Sequence, residues 1–173
     1  MRRILRIALP LSVLFLWIAP AQALPGPGEP APAFTLGELG RPEKRVDSAA
    51  LFAGRTTLLS FFATWCKPCK AEIPEFQRMV AHYGGKGFQA ALVSLDQLGA
   101  DDVRVFLREA GAGDLPVLWD EEGDMMALYG FFGLPTNVVI GPDGIVVMSW
   151  MGDLPAKLRE LDAYLEGLPA APR

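Results

Sequence analysis

The sequence predicts a single α/β domain built on a central mixed β-sheet flanked by helices, and three observations carry that prediction. Short runs rich in Val, Leu and Phe alternate with segments of helical periodicity across residues 33–168, the pattern of βα units. The apolar run Leu58 to Phe62 leads directly into Ala63-Thr64-Trp65-Cys66 and a helical pattern, so a central strand hands over to a helix at a cysteine. Late in the chain, Gly141-Pro142-Asp143-Gly144 separates two further apolar runs in the manner of a hairpin. A chain of 173 residues, half of them apolar, can bury a sizeable core as one domain, and it carries no internal repeat.

The N-terminus has its own logic. Met1-Arg2-Arg3 and Arg6 precede an apolar stretch from Ile7 to Ala19, and Ala21-Gln22-Ala23 follows, which are the three regions of a secretory signal peptide. The reading is a Sec-type signal over 1–23, cleaved after Ala23, with an uncleaved N-terminal anchor as the alternative. Thirteen or so apolar residues interrupted by Pro10 fall short of the roughly 20 needed to span a bilayer. Loss of this segment removes three arginines and no acid, and the net charge of −4 becomes about −7. An acidic domain with no basic stripe excludes nucleic acid as a partner. Residues 24–32 alternate Pro, Gly and Ala around Glu29 and read as an extended linker, so that the folded domain begins near Ala33 and ends at 168, with 169–173 a tail.

Within the domain, Phe76, Met79, Val80 and Tyr83 recur at helical spacing after the cysteines, stopped by Gly84-Gly85 and kinked at Pro74. Phe88 to Leu95 reads as the next strand. Asp101-Asp102 open a helix whose apolar face is Val103, Phe106, Leu107 and Ala110. Val117 to Trp119 is a short strand, Asp120 to Gly123 a turn, and Met125 to Tyr129 a short helix. Asn137 to Ile140 and Ile145 to Trp150 form the hairpin. Asp153 then reads as an N-cap, with Pro155 in the first turn and Leu154, Leu158, Leu161 and Leu165 on one helical face. Trp119 and Trp150 read as core or hairpin residues without a chemical role.

Chemistry concentrates in Cys66-Lys67-Pro68-Cys69, which holds both cysteines of the chain. At a helix start this spacing brings two sulfurs together at bonding distance. Unpaired amides and the helix dipole favour a thiolate there, and Lys67 adds positive charge, so Cys66, with its sulfur facing outward, is the expected nucleophile and Cys69 the resolving thiol. An inert staple is the competing reading, but a bond closing so short a loop removes little unfolded-state entropy. Structural zinc would want four ligands, and the lone histidine, His82, falls near the far end of the same helix.

These residues resemble the thioredoxin superfamily, and within it the exported TlpA/ResA-type thiol-disulfide oxidoreductases, over nearly the whole of residues 24–173. The resemblance rests on Phe61-Phe62-Ala63-Thr64-Trp65-Cys66-Lys67-Pro68-Cys69-Lys70 with Pro74 after it, and on Gly133-Leu134-Pro135-Thr136 before a strand. It implies a thioredoxin-like fold, with the segment from Phe88 to Gly133 as the TlpA/ResA-type βα insertion. It also implies a cis peptide before Pro135 and a substrate-binding surface made by Trp65, Lys67, Pro68, Leu134, Pro135 and Thr136 around the redox-active pair. Thioredoxins usually carry a buried acid where this chain has Ser60; Glu72, three residues after Cys69, matches the glutamate of ResA-like proteins and is the expected proton acceptor, unless it lies on the solvated face of its helix. Trp65 suits docking or core equally.

The function implied is a protein-disulfide reductase, periplasmic or otherwise extracytoplasmic and possibly tethered to the inner membrane. It would act as a monomer on disulfide-containing exported proteins, in cytochrome c maturation or copper-site assembly, and be recharged by a membrane thiol electron donor, without metal or other cofactor. An oxidase of the DsbA sort would carry a large helical insertion that this chain lacks, and a peroxiredoxin would want Thr or Ser where Ala63 stands. From another class, the dithiol could carry Cu(I), although no methionine or histidine lies close by to complete a site.

Overall fold

The computed structural model describes residues 23–97 and 99–169. The signal or anchor reading of 1–23 therefore lies outside the described residues, Ala23 excepted, as do residues 170–173 of the tail. Among the described residues, no helix is long and apolar enough to cross a membrane.

The sheet grows from β3 (Thr56–Phe62), whose seven residues are all buried because it lies between two other strands with helices on both faces. It pairs in parallel with β4 (Phe88–Ser94), and β4 pairs in parallel with β5 (Val117–Trp119). On its other side β3 meets β6 (Thr136–Ile140) antiparallel, and β6 turns through the Gly141–Gly144 hairpin into β7 (Val146–Met151). Gly144, at φ 80°, takes the left-handed conformation that the turn requires. Beyond β5 lie two strands that sequence periodicity did not predict, β1 (Thr35–Glu38) and β2 (Arg41–Asp47), giving the order β2-β1-β5-β4-β3-β6-β7. They escape detection because β2, Arg-Pro-Glu-Lys-Arg-Val-Asp, is an exposed edge strand with no alternation to read.

Side chains of β3 alternate between two cores. Leu58 and Phe62 join the cluster under α2 (Lys67–Tyr83), α3 (Ala100–Glu109) and α5 (Leu158–Glu166), with Ile73, Phe76, Val103, Phe106, Leu161 and Leu165. Leu59 and Phe61 face the opposite layer, where Phe52 of α1 (Ser48–Phe52) and Met125 and Tyr129 of α4 (Met125–Tyr129) pack. Phe61 packs against Tyr129 and Phe131 with tilted rings, their centroids 5.1 and 4.7 Å away.

Two expectations change. The final helix does not start at Asp153: residues Leu154–Ala156 form a 3-10 turn, α5 begins at Leu158, and the Asp153 side chain makes no capping bond. The Leu154 amide that would begin such a helix is instead donated to Glu72. Residues 24–32, expected as a free linker, are strapped along β7. Gly28 N donates to the Val146 carbonyl (2.8 Å), Val146 N to Glu29 (2.8 Å) and Ala31 N to Gly144 (2.9 Å), Ser149 Oγ donates to Pro25 (2.7 Å), and Pro25 is buried. The Pro/Gly composition that precludes a core does not preclude using up the open edge of a strand.

Candidate active site

β3 ends at Phe62, and four residues later Cys66 becomes the N-cap of α2. Its Sγ accepts the Cys69 amide at 3.2 Å, so one of the unpartnered N–H groups of the helix start is aimed at the first sulfur. Cys66 and Cys69 are joined by a disulfide with Cα atoms 5.3 Å apart. Lys67 and Pro68 are exposed on the first turn, and Lys70 pairs with Glu109 at 2.8 Å and lies over the Phe106 ring. Pro74 lies inside α2 and cannot donate to the Lys70 carbonyl one turn earlier.

The expectation that the Cys66 sulfur faces outward gives way to a nearly covered pair. Cys66 and Cys69 are 4% and 3% exposed, and both belong to the core cluster against which Leu134 packs. Beside the dithiol, Trp65 is 72% exposed, which settles its placement on the surface rather than in the core.

The second loop arrives from β6. Phe61 pairs with Thr136, so the residues before Thr136 leave the sheet at the same end as the residues after Phe62. The Leu134–Pro135 peptide is cis, Pro135 and Thr136 are buried, and Thr136 Oγ1 donates to the Gly133 carbonyl at 2.7 Å. Phe132 in this loop is 82% exposed. Periodicity gave no reason to single it out, although a Phe-Phe pair next to a turn glycine is the kind of signal that would have raised it.

Glu72 lies inward, not on the solvated face of α2. It is 4% exposed, Oε1 accepts the Leu154 amide, and Oε2 accepts Asn137 Nδ2 at 3.3 Å. Burial pushes its pKa up to about 6; the Leu154 and Asn137 hydrogen bonds oppose the rise, and the nearby Asp153 carboxylate adds to it. A groove of about 190 Å³, lined by Pro68, Glu72, Glu75, Asp153, Leu154 and Leu158, reaches this carboxylate from the surface beside the dithiol. A larger hollow of about 260 Å³, between β1 and α4, contains none of the predicted site residues.

Sequence reasoning missed Asp96, just beyond β4. Its carboxylate, 4% exposed, accepts Thr64 N (3.0 Å), Thr64 Oγ1 (2.7 Å) and Ser94 Oγ (3.0 Å), anchoring the loop that presents Trp65 and Cys66. The only hint is a Ser-x-Asp at the carboxyl end of an apolar strand. His82 sits at the distal end of α2 near Glu166, and among the described residues no cluster of His, Cys, Asp or Glu is gathered to hold a metal ion.

Comparison with known proteins agrees with this geometry. Residues 27–149 match the AhpC/TSA family. The thiol-disulfide oxidoreductase ResA of Oceanobacillus iheyensis is 34% identical over 147 residues, covering 82% of this chain and 72% of that protein. ResA of Bacillus subtilis is 31% identical over 127 residues, 73% of this chain and 68% of that one. Among solved structures, a protein described as a thiol:disulfide interchange protein DsbE, from Chlorobium tepidum, superposes with a TM-score of 0.73 at 32% identity, over 84% of this chain and 99% of that chain.

Proposed function

Because the chain belongs to the AhpC/TSA family and is a thiol-disulfide oxidoreductase of the ResA/DsbE type, we propose that it reduces disulfides of exported proteins through Cys66 and Cys69. The observation that carries this reading is the pair itself: a dithiol at a helix N-terminus, with the Cys69 amide on Cys66 Sγ and a buried carboxylate one turn further on.

In the reduced protein the helix amides favour the Cys66 thiolate. It attacks one sulfur of a substrate disulfide, the substrate S–S bond breaks, and the other substrate sulfur leaves as a thiolate that takes a proton. Cys69 then surrenders its proton to Glu72 and attacks Cys66 Sγ, breaking the mixed disulfide. The second substrate sulfur leaves as a thiolate and takes up a proton; two electrons have passed from the dithiol to the substrate, and of its two protons one derives from Cys69 by way of Glu72 and one from the solvent. A carboxylate that titrates near 6 can take that proton at neutral pH and return it through the groove.

The extended substrate lies between the Cys66 loop and the Pro135 loop, with Trp65 and Phe132 offering exposed aromatic surface and Lys67, Pro68 and Leu134 completing the surroundings, whereas Thr136, expected on this surface, is fully buried and only braces the loop from beneath. The signal-like N-terminus supports an extracytoplasmic location, where a membrane thiol donor would restore the dithiol; apocytochrome c and copper-site assembly proteins are the candidate substrates. The test is the reduction potential of the protein equilibrated against dithiothreitol. A value towards thioredoxin's, about −270 mV, fits a reductase, whereas one near about −120 mV would make the protein an oxidant and reverse the assigned direction.

A further inference from the structure

Behind Glu72, on the sheet, two buried polar atoms have no partner among the described residues: Asn137 Oδ1 and Trp150 Nε1. They are neighbours. Ser60, Asn137 and Trp150 are paired residues on adjacent strands β3, β6 and β7, and their side chains share the face that α2 covers. Opposed side chains in such a ladder start about 5 Å apart. Asn137 is fully buried and Trp150 is 7% exposed.

An isolated buried acceptor beside an isolated buried donor is costly unless they serve each other. The two atoms are not hydrogen-bonded to each other, and one water between the indole N–H and Asn137 Oδ1 would satisfy both. It also fixes the amide: turned over, Nδ2 would confront the indole N–H, and Oδ1 would confront the Glu72 carboxylate. With the amide fixed, its N–H can only point at Glu72 Oε2, where it is found at 3.3 Å.

We propose that Asn137, locked by Trp150, is a positioning residue for the dithiol chemistry, holding the Glu72 carboxylate in its charged, proton-accepting form. This rests on the proposed role of Glu72 as acceptor for Cys69. The charged and titratable groups around Glu72 are few. Cys66, Cys69 and Glu75 share its helix, Asp153 faces it from the turn before α5, and β3, β6 and β7 carry no ionisable side chain. Asn137 is therefore the sheet's means of favouring the anion over the acid.

The test uses oxidised protein, in which the cysteines do not titrate. Carboxyl-carbon NMR follows Glu72 in the wild type, Asn137→Leu and Trp150→Phe. Removing a donor to the charged form raises its pKa, so Asn137→Leu should move the midpoint upward by about one pH unit, the size expected for one hydrogen bond to a charged group. Trp150→Phe, which keeps an aromatic ring but loses the N–H and part of the indole, should shift it in the same direction by less. In the reduced protein, Asn137→Leu should shift the pH profile of mixed-disulfide resolution in the same way, and should leave that profile unmoved once Glu72→Gln is present. A midpoint that coincides with the wild type in both folded variants overturns the clamp. So does an Asn137→Leu effect of equal size with and without Glu72. If Asn137→Leu fails to fold, Trp150→Phe decides alone. A Glu72→Gln protein whose own exchange profile matches the wild type would overturn instead the acceptor role of Glu72, and the NMR midpoints would still report on the clamp.

Discussion

Replacing Glu72 by Gln should make the oxidised protein more stable at neutral pH. The carboxyl has an ordinary pKa of 4.5 in the unfolded chain and about 6 in the folded protein. At pH 7 both states carry the charge, and the folded state bears the full cost of its burial, about 2 kcal/mol from a shift of about 1.5 units. Below pH 4.5 both states hold the proton and the cost vanishes. Because the folded state binds more protons between these values, the Glu72 contribution to stability falls as pH rises from about 4.5 to 6 and is flat above. Glutamine carries no charge and still accepts the Leu154 amide, while its own NH2 meets Asn137 Nδ2, a cost that does not vary with pH and offsets part of the gain. Urea denaturation of both oxidised proteins should show their stability difference moving in favour of the variant by about 2 kcal/mol, equivalent to roughly 4–8 °C in Tm, between pH 4.5 and pH 7. A difference independent of pH, or one that moves in favour of the wild type as pH rises, would refute the buried-charge account. If Glu72 is the acceptor for Cys69 as proposed, the variant should also be the poorer catalyst.

The remaining predictions use other residues around the dithiol. Asp153→Asn removes a carboxylate that pushes Glu72 upward, so the Glu72 midpoint should drop below about 6 in the same NMR titration, and an unchanged or higher midpoint counts against that repulsion. Asp96→Ala strips the partners from Thr64 and Ser94 and should cost on the order of 3 kcal/mol in urea denaturation while slowing exchange at Cys66; an unchanged unfolding midpoint would show the Thr64 anchor to be dispensable. Phe132→Ala and Trp65→Ala, both at exposed sites, should stay within about 0.5 kcal/mol of wild-type stability yet lose several-fold in kcat/KM on a cystine-containing peptide flanked by apolar residues. Undiminished kcat/KM would remove the aromatic pair from substrate docking. Cys69→Ser should trap a mixed disulfide on Cys66, seen as a mass adduct that reductant removes; the absence of any adduct would reverse the assigned order of attack.

How far the sequence reaches depends on whether a feature is written in neighbouring residues. The strand-to-helix junction at Cys66 is local, since an apolar run ends where a helical pattern begins, and the βα succession from Leu58 to the hairpin is legible for the same reason. The β1–β2 ribbon is not, because an exposed edge strand pays no periodicity to a core. The Asp153 cap was misplaced because a favourable local signal lost to Glu72, 82 residues away along the chain, which takes the Leu154 amide. Asp96 and Asn137 share that character: each is a single polar residue in or after an apolar strand, and only the pairing of β3 with β4 and β6 brings it to the dithiol. What can be read locally is the reactive pair; what sets its protonation is supplied by residues the fold assembles.

The strap along β7 has a consequence of its own. A protein that handles extended chains risks offering them a template, since any free strand edge can recruit an unfolded segment as an extra strand. Here the start of one margin, at Gly144 to Val146, is already paired with the protein's own residues 28–31, and Ser149 further along it holds Pro25. The other, β2, presents Arg41, Pro42, Glu43, Lys44 and Arg45 to solvent, a proline and alternating charges that discourage a ladder. Under the proposed function, an extended client would meet little free strand edge at either margin and would be left to engage at the sulfurs.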